Sequence, residues 1–140
     1  MAGLFFEDLT VGQSAEITRA IDAADIDAFA AVSGDVNPVH LDEVYARTTP
    51  FGGRIAHGML SAAYISAVLG AKLPGPGAIY LSQTLRFRRP VKIGDIVTAR
   101  VTISDLDTNK ARATLATVCQ VDGRTAVDGE AVVMVPRRGA

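Results

Sequence analysis

Cysteine is nearly absent from this chain of 140 residues: Cys119 stands alone. That excludes an intrachain disulfide and any site built on several thiolates, and it fits a reducing compartment. The simplest role for Cys119 is that of a small buried apolar side chain. Histidine is almost as scarce. His40 and His57 are the only two, and neither stands at zinc-site spacing from a cysteine or a carboxylate, so no metal is expected. Tryptophan is missing, and aromatic residues make up 6% of the chain, with Phe87 alone among the basic residues 86–92. That is too little interleaving for a nucleic-acid surface. Net charge is −1, from 14 basic and 15 acidic residues, so the overall balance gives nucleic acid no electrostatic hold either. No charged-then-apolar leader opens the chain. The longest mostly apolar run, residues 55–73, is broken by His57, Ser61, Ser66, Lys72 and glycines, which argues against a membrane span. The expectation is a soluble cytoplasmic protein.

What is present is apolar residue in quantity. At 49% hydrophobic content, 140 residues suffice for one domain, 1–140, with a substantial core. Leu4-Phe5-Phe6 is expected to pack on the body, and Gln13 to Ala20 reads as a first strand behind the Val11-Gly12 turn. Asp22 is placed to cap a helix over 23–32 that ends at Ser33-Gly34. A helical turn is expected over 42–46, then a loop over 48–54 carrying Pro50 and Gly52-Gly53. The stretch from His57 to Lys72 has apolar residues around its whole circumference and no Asp or Glu, which predicts a buried helix, and Pro74-Gly75-Pro76-Gly77 ends it. Alternation of apolar and polar residues over 79–87 and 96–103, a turn at Asp107-Thr108-Asn109, a Thr- and Val-rich run over 111–121, an Asp122-Gly123 hairpin signal and a last run over 125–135 predict four strands. Helix followed by consecutive strands implies an α+β domain, an antiparallel sheet wrapped around the buried helix.

The chemistry concentrates in Ser33-Gly34-Asp35-Val36-Asn37-Pro38-Val39-His40, where a carboxylate and an imidazole stand five positions apart. Gly34 and the Asn37-Pro38 pair keep this stretch from being a regular helix, so backbone rather than long side chains holds the two groups in relation. Proton-moving enzymes need such preset geometry. The competing reading makes Asp35 and Asn37 turn formers and His40 a helix-capping residue. Gly58 lies in the first turn of the long helix, where N–H groups lack intrahelical partners and suit a developing negative charge; close packing of the helix end is its other reading. His57, at the same helix start, is expected to anchor a loop by hydrogen bond rather than to transfer protons.

The run Phe29-Ala30-Ala31-Val32-Ser33-Gly34-Asp35-Val36-Asn37-Pro38-Val39-His40, with Ala46, resembles the hydratase-2 signature of the MaoC-like, R-specific enoyl-CoA hydratases. His57-Gly58-Met59-Leu60, Ile79-Tyr80-Leu81 and Arg86-Phe87 are similar to the short single-domain members that feed polyhydroxyalkanoate synthesis, and the resemblance covers nearly the entire chain. It implies the hotdog fold and a homodimer. It implies further that Asp35 and His40 are the catalytic pair, that the Gly58 N–H binds the thioester oxygen, and that Asn37 supports Asp35 or the water, although a plain turn role for Asn37 stands beside this. The implied reaction is reversible hydration of a trans-2-enoyl-CoA to an (R)-3-hydroxyacyl-CoA, with water between Asp35 and His40 and no cofactor. At neutral pH an ordinary aspartate is ionised and an ordinary imidazole largely neutral, so the pair suits proton exchange with water. By the same resemblance Ser66 and Leu69 face the acyl tail, with Val132 or Val133 opposite, and Leu69 limits the site to short chains. Arg86, Arg88, Arg89 and Lys92 either receive coenzyme A phosphates or form a solvated strand end. Three rivals stand beside it: a dehydratase of acyl-carrier-protein thioesters, using the same pair in reverse, a hotdog thioesterase, and a noncatalytic acyl-binding or partner subunit, against which the presence of both Asp35 and His40 argues. The thioesterase commonly uses a carboxylate on the central helix, and Met59 to Leu73 offers none.

Overall fold

A computed structural model describes residues 2–140. After a 3₁₀ turn at Phe6–Asp8, which buries Phe6, come strand β1 (Ser14–Ala20) and helix α1 (Ala23–Ser33). Asp22 and Asp25 cap α1 reciprocally, each carboxylate accepting the other's backbone N–H. The helix ends at Gly34, whose left-handed φ of 80° is open to glycine at little cost. The expected irregular loop then departs from expectation. Pro38–Leu41 forms a one-turn helix, α2, because Pro38 fits the first helical position and the Asn37 side chain accepts the Val39 N–H. His40 therefore rides on a capped helical turn. Helices α3 (Glu43–Arg47) and α4 (Gly58–Ala71) follow.

Five strands complete the chain rather than four: β2 (Ile79–Gln83), β3 (Arg86–Phe87), β4 (Ile96–Asp107), β5 (Arg112–Val121) and β6 (Arg124–Met134). The expected 79–87 strand breaks at Thr84-Leu85, and both pieces pair with β6. The sheet is antiparallel, ordered β1-β4-β5-β6-β2, with β3 on β6 beyond β2. Asp122 and Gly123 both take positive φ, 51° and 74°, making the tight two-residue hairpin that Asp-Gly favours.

The sheet curves over α4. Val97, Ala99, Val101 and Ile103 of β4, Ala113, Leu115 and Cys119 of β5, and Ala131 and Val133 of β6 are all buried, as are Leu60, Ile65, Val68 and Leu69 of the helix. Burying each such Val, Ile or Leu is worth about 1.5–3 kcal/mol relative to exposure, so this seam carries most of the stability. The arrangement is the hotdog fold. The helix is not buried all round, however: Met59 is 54% exposed and Ala63, Ser66 and Ala67 face outward, because the sheet of one chain covers only one side of α4. Among the described residues no helix is long and apolar enough to cross a membrane.

Candidate active site

Three polar side chains far apart in sequence meet where α1, α2 and the start of α4 converge. His40 Nδ1–H donates to the Ile55 carbonyl at 2.9 Å, so in the neutral ring Nε2 keeps its lone pair; the tautomer is assigned from that bond. His57 Nε2–H donates to the Asp35 carbonyl at 2.9 Å. The His57 ring is 2% exposed, stacks on His40 at 3.9 Å between centroids and 25° between planes, and has Phe29 on a neighbouring side. One potential ligand atom each from Asp35, His40 and His57 lies within 4.8 Å of the other two. Sequence spacing had set the two histidines apart; the fold stacks them.

Backbone contacts hold the Asp35 carboxylate in place. Its Oδ1 accepts the Asn37 N–H at 3.3 Å, while its own N–H donates to Ser33 Oγ at 3.1 Å. Asn37 therefore supports Asp35 through its backbone and caps α2 through its side chain. Arg54, which sequence reasoning passed over, ties the same region down: Nε donates to the His40 carbonyl at 2.6 Å and the guanidinium pairs with Asp27 of α1 at 2.7 Å. The Arg54 side chain is only 13% exposed, whereas Asp27 is 60% exposed, so the pair joins a buried guanidinium to a carboxylate at the surface. His57 and Arg54 each sit within four residues of Gly58 in the chain, but nothing in their spacing announces partners around positions 27–40.

A cleft of about 350 Å³ opens beside the pair, lined by His40, Phe51, His57, Gly58, Phe87 and Val127 among others. The Gly58 N–H, at the first position of α4, has no hydrogen-bond partner among the described residues. A Cβ at Gly58 would stand 2.5 Å from Phe87 Cε1. Both readings of this glycine therefore describe the molecule: an open donor at a helix N-terminus, and a close approach of backbone to an aromatic ring.

A second, apolar groove of about 520 Å³ runs along the outward side of α4 to β2. Phe29, Met59, Ser66, Leu81 and Leu85 line it. Ser66 lines it, whereas Leu69 and Val132 do not. Leu69 is 2% exposed, one turn on from Ile65 on the face of α4 turned to the sheet. Val132 alternates with buried Ala131 and Val133 and so lies on the opposite face of β6. Leu69 therefore does not line this groove.

The charges and donors around the cleft resolve further. Arg88 and Arg89 reach its lining, and Arg88 pairs with Asp128 at 3.2 Å. The His/His/Asp cluster brings together groups that can exchange protons. One nitrogen of each imidazole is committed to a backbone carbonyl, which leaves one ring nitrogen on each histidine for other chemistry.

Comparison with known proteins follows the same outline. The MaoC like domain matches residues 8–125. The chain is 56% identical to the (R)-specific enoyl-CoA hydratase of Rhodospirillum rubrum, over 96% of this chain and 94% of that protein. It is 52% identical to the 3-hydroxybutyryl-CoA dehydratase of Methylorubrum extorquens, over 96% of this chain and 86% of the relative. Among solved structures it is similar to the (R)-hydratase from A. caviae involved in PHA biosynthesis, with a TM-score of 0.91 and 49% identity, covering 93% of this chain and 99% of that one.

Proposed function

This chain belongs to the MaoC-like domain family, and on that premise we propose how its residues carry out the family's reaction. The activity is that of an (R)-specific enoyl-CoA hydratase, a hydro-lyase, which in reverse is dehydration of a 3-hydroxyacyl-CoA. The observation that carries the assignment of residues is convergence: a cleft lined by His40 and by Gly58, whose helix N-terminal N–H is unpaired, has the Asp35 carboxylate beside it, within 4.8 Å of a His40 ring nitrogen.

Water rests between the Asp35 carboxylate and His40 Nε2, its two hydrogens directed at these acceptors and a lone pair at the β-carbon. As the new C–O bond forms, one water proton passes to the Asp35/His40 pair and the π electrons move toward the thioester. The Gly58 N–H, aided by the partial positive charge of the α4 N-terminus, stabilises the oxygen of the resulting enolate. The pair then delivers a proton to the α-carbon, so hydroxide and proton add across the double bond and the enzyme returns to its starting state. Holding the carbonyl at Gly58 while water comes from one side exposes a single face of the alkene, which is the basis of R selectivity. Positioned acid/base groups contribute about 10²–10⁴-fold, and an oxyanion donor about 10²–10³-fold.

We further infer a cytoplasmic, single-domain homodimer. The β2 edge is unpaired, with Ile79, Tyr80 and Leu81 exposed, and the apolar groove beside it includes half-exposed Met59. Val32 and Val36, flanking Asp35, are 89% and 65% exposed. A second copy across this side would cover apolar surface and shield Asp35 from bulk water. Light scattering at micromolar concentration is expected to give twice the chain mass; a monomer contradicts the assembly.

The reaction assignment is tested with crotonyl-CoA and butyryl-CoA, following double-bond absorbance and thiol release in parallel. Hydration to the R product without appreciable butyryl-CoA cleavage is expected. Thiol release outpacing double-bond loss would mean thioesterase chemistry and a misread site.

A further inference from the structure

Arg54 stands behind the catalytic imidazole rather than in front of it: its guanidinium is largely buried, yet it does not line the cleft. What it holds is α2. A helix of four residues cannot stand alone, since isolated helices below about 12–15 residues are marginal in water. The last carbonyls of such a helix also lack intrahelical partners, and residues 54 and 55 supply them. Ile55 N–H donates to the Val39 carbonyl at 3.3 Å, and Arg54 Nε–H donates to the His40 carbonyl at 2.6 Å. The Ile55 carbonyl in turn accepts the His40 ring N–H at 2.9 Å. One dipeptide thus grips His40 by its backbone and by its ring.

That dipeptide is anchored by the remaining donors of Arg54. A second guanidinium nitrogen donates to Asp27 Oδ1 on α1 at 2.7 Å, and the Arg54 backbone N–H donates to Glu43 Oε2 on α3 at 3.4 Å. Helices α1, α2 and α3 therefore meet on one residue. We propose that Arg54 is a positioning residue for the reaction: its planar fork, with Nε on the His40 carbonyl and the terminal nitrogen on Asp27, sets the angle at which α2 presents the imidazole to the cleft. The proposal rests on the reading of His40 as a catalytic group and deepens it, by stating what fixes that group. A guanidinium holds two acceptors in a set relation, whereas an ammonium on a flexible stem does not. Asp35 is held by local bonds to Ser33 and Asn37 and has no such distant support, so the effect of Arg54 falls on His40.

The test is Arg54→Lys, which keeps the charge and loses the fork. With crotonyl-CoA, kcat should fall about 10- to 10²-fold while KM stays within about twofold, because a misplacement of about 1 Å costs up to about 10²-fold without removing a substrate contact. Asp27→Asn should act in the same direction, by about two- to fivefold, since the amide oxygen still accepts the N–H but without its charge. In a His40→Gln background Arg54→Lys should cost less than about twofold further, because a residue that acts through His40 has nothing left to act through. An equal cost in both backgrounds overturns the proposal and leaves Arg54 a merely stabilising residue, as does near-normal kcat in folded Arg54→Lys. Should Arg54→Lys not fold, Asp27→Asn, a change at a side chain 60% exposed, runs the same cycle. Nitrogen-15 spectra of the two histidine rings, assigned with His40→Gln and recorded where the rings are neutral, give a readout independent of turnover. The Nδ1–H form of His40 should dominate in the wild type and lose ground to the Nε2–H form in the Arg54 or Asp27 variant; an unchanged tautomer ratio refutes the positioning role. If the wild type hydrates no enoyl thioester, or His40→Gln turns over normally, the reaction reading falls, and the same spectra still decide whether Arg54 sets the ring.

Discussion

Gly58→Ala separates the two jobs of that glycine. The added Cβ would stand 2.5 and 2.6 Å from Cε1 and Cδ1 of Phe87, about 1 Å inside the normal carbon–carbon separation of roughly 3.5–4.0 Å. Either the Phe87 ring moves or the start of α4 does. The ring is 56% exposed and has room to swing, so the stability cost should fall at the low end of overpacking, about 1 kcal/mol, partly offset by the better helix propensity of alanine. Turnover should suffer more. A donor displaced by about 1 Å no longer meets the enolate oxygen, and kcat for crotonyl-CoA should drop about 10²-fold. The double variant Gly58→Ala/Phe87→Ala removes the clash, and a cycle with Phe87→Ala should return a favourable coupling of about 1–2 kcal/mol in the activation free energy. Steady-state kinetics on the four proteins, each checked by thermal melting, gives the answer. A Gly58→Ala enzyme with kcat within about twofold of wild type and no coupling to Phe87→Ala would refute the reasoning that the added Cβ displaces the donor, because the exposed ring alone would then have absorbed the conflict.

Asp35→Asn and His40→Gln should each fold with little change in melting temperature, since Asp35 is exposed and His40 half-buried, yet lose about 10²–10⁴-fold in kcat; near-normal turnover in either folded protein rejects the pair. His57→Leu removes the ring under His40 and the donor to the Asp35 carbonyl, so both stability, by about 1–3 kcal/mol, and kcat should fall while KM changes less, because the ring is 2% exposed and acts through its neighbours. A rise in KM with normal kcat argues against that role. Burial pushes the Cys119 thiol up to about 12, above its ordinary 9.0, so the folded state holds its proton through the range where the unfolded chain releases it. Stability from this source is complete below about pH 9 and declines as pH rises toward 12. Iodoacetamide at pH 8 should leave Cys119 unlabelled in the native protein and label it in urea; rapid native labelling contradicts its burial.

Local chemistry was enough to determine much of this protein. Asp22 and Gly34 bound α1, Asp122-Gly123 makes the last hairpin, and alternation along 97–103 marks the face of β4 that packs on α4. Asp35, Asn37 and His40 were legible as a group because they lie within six positions, where backbone geometry alone controls their relation. What only the tertiary structure decided depends on contacts between distant segments. The stack of His57 under His40 and the reach of Arg54 to Asp27 leave no periodicity or motif in the chain. Leu69 lies outside the outward groove for a related reason: helical spacing near Ser66 cannot say which flank of α4 the sheet will cover, and Leu69 is on the covered flank. The apolar circumference of α4 misled in the same way, since a helix rich in apolar residues all round is equally consistent with one sheet enclosing it and with one side left open to a neighbouring surface.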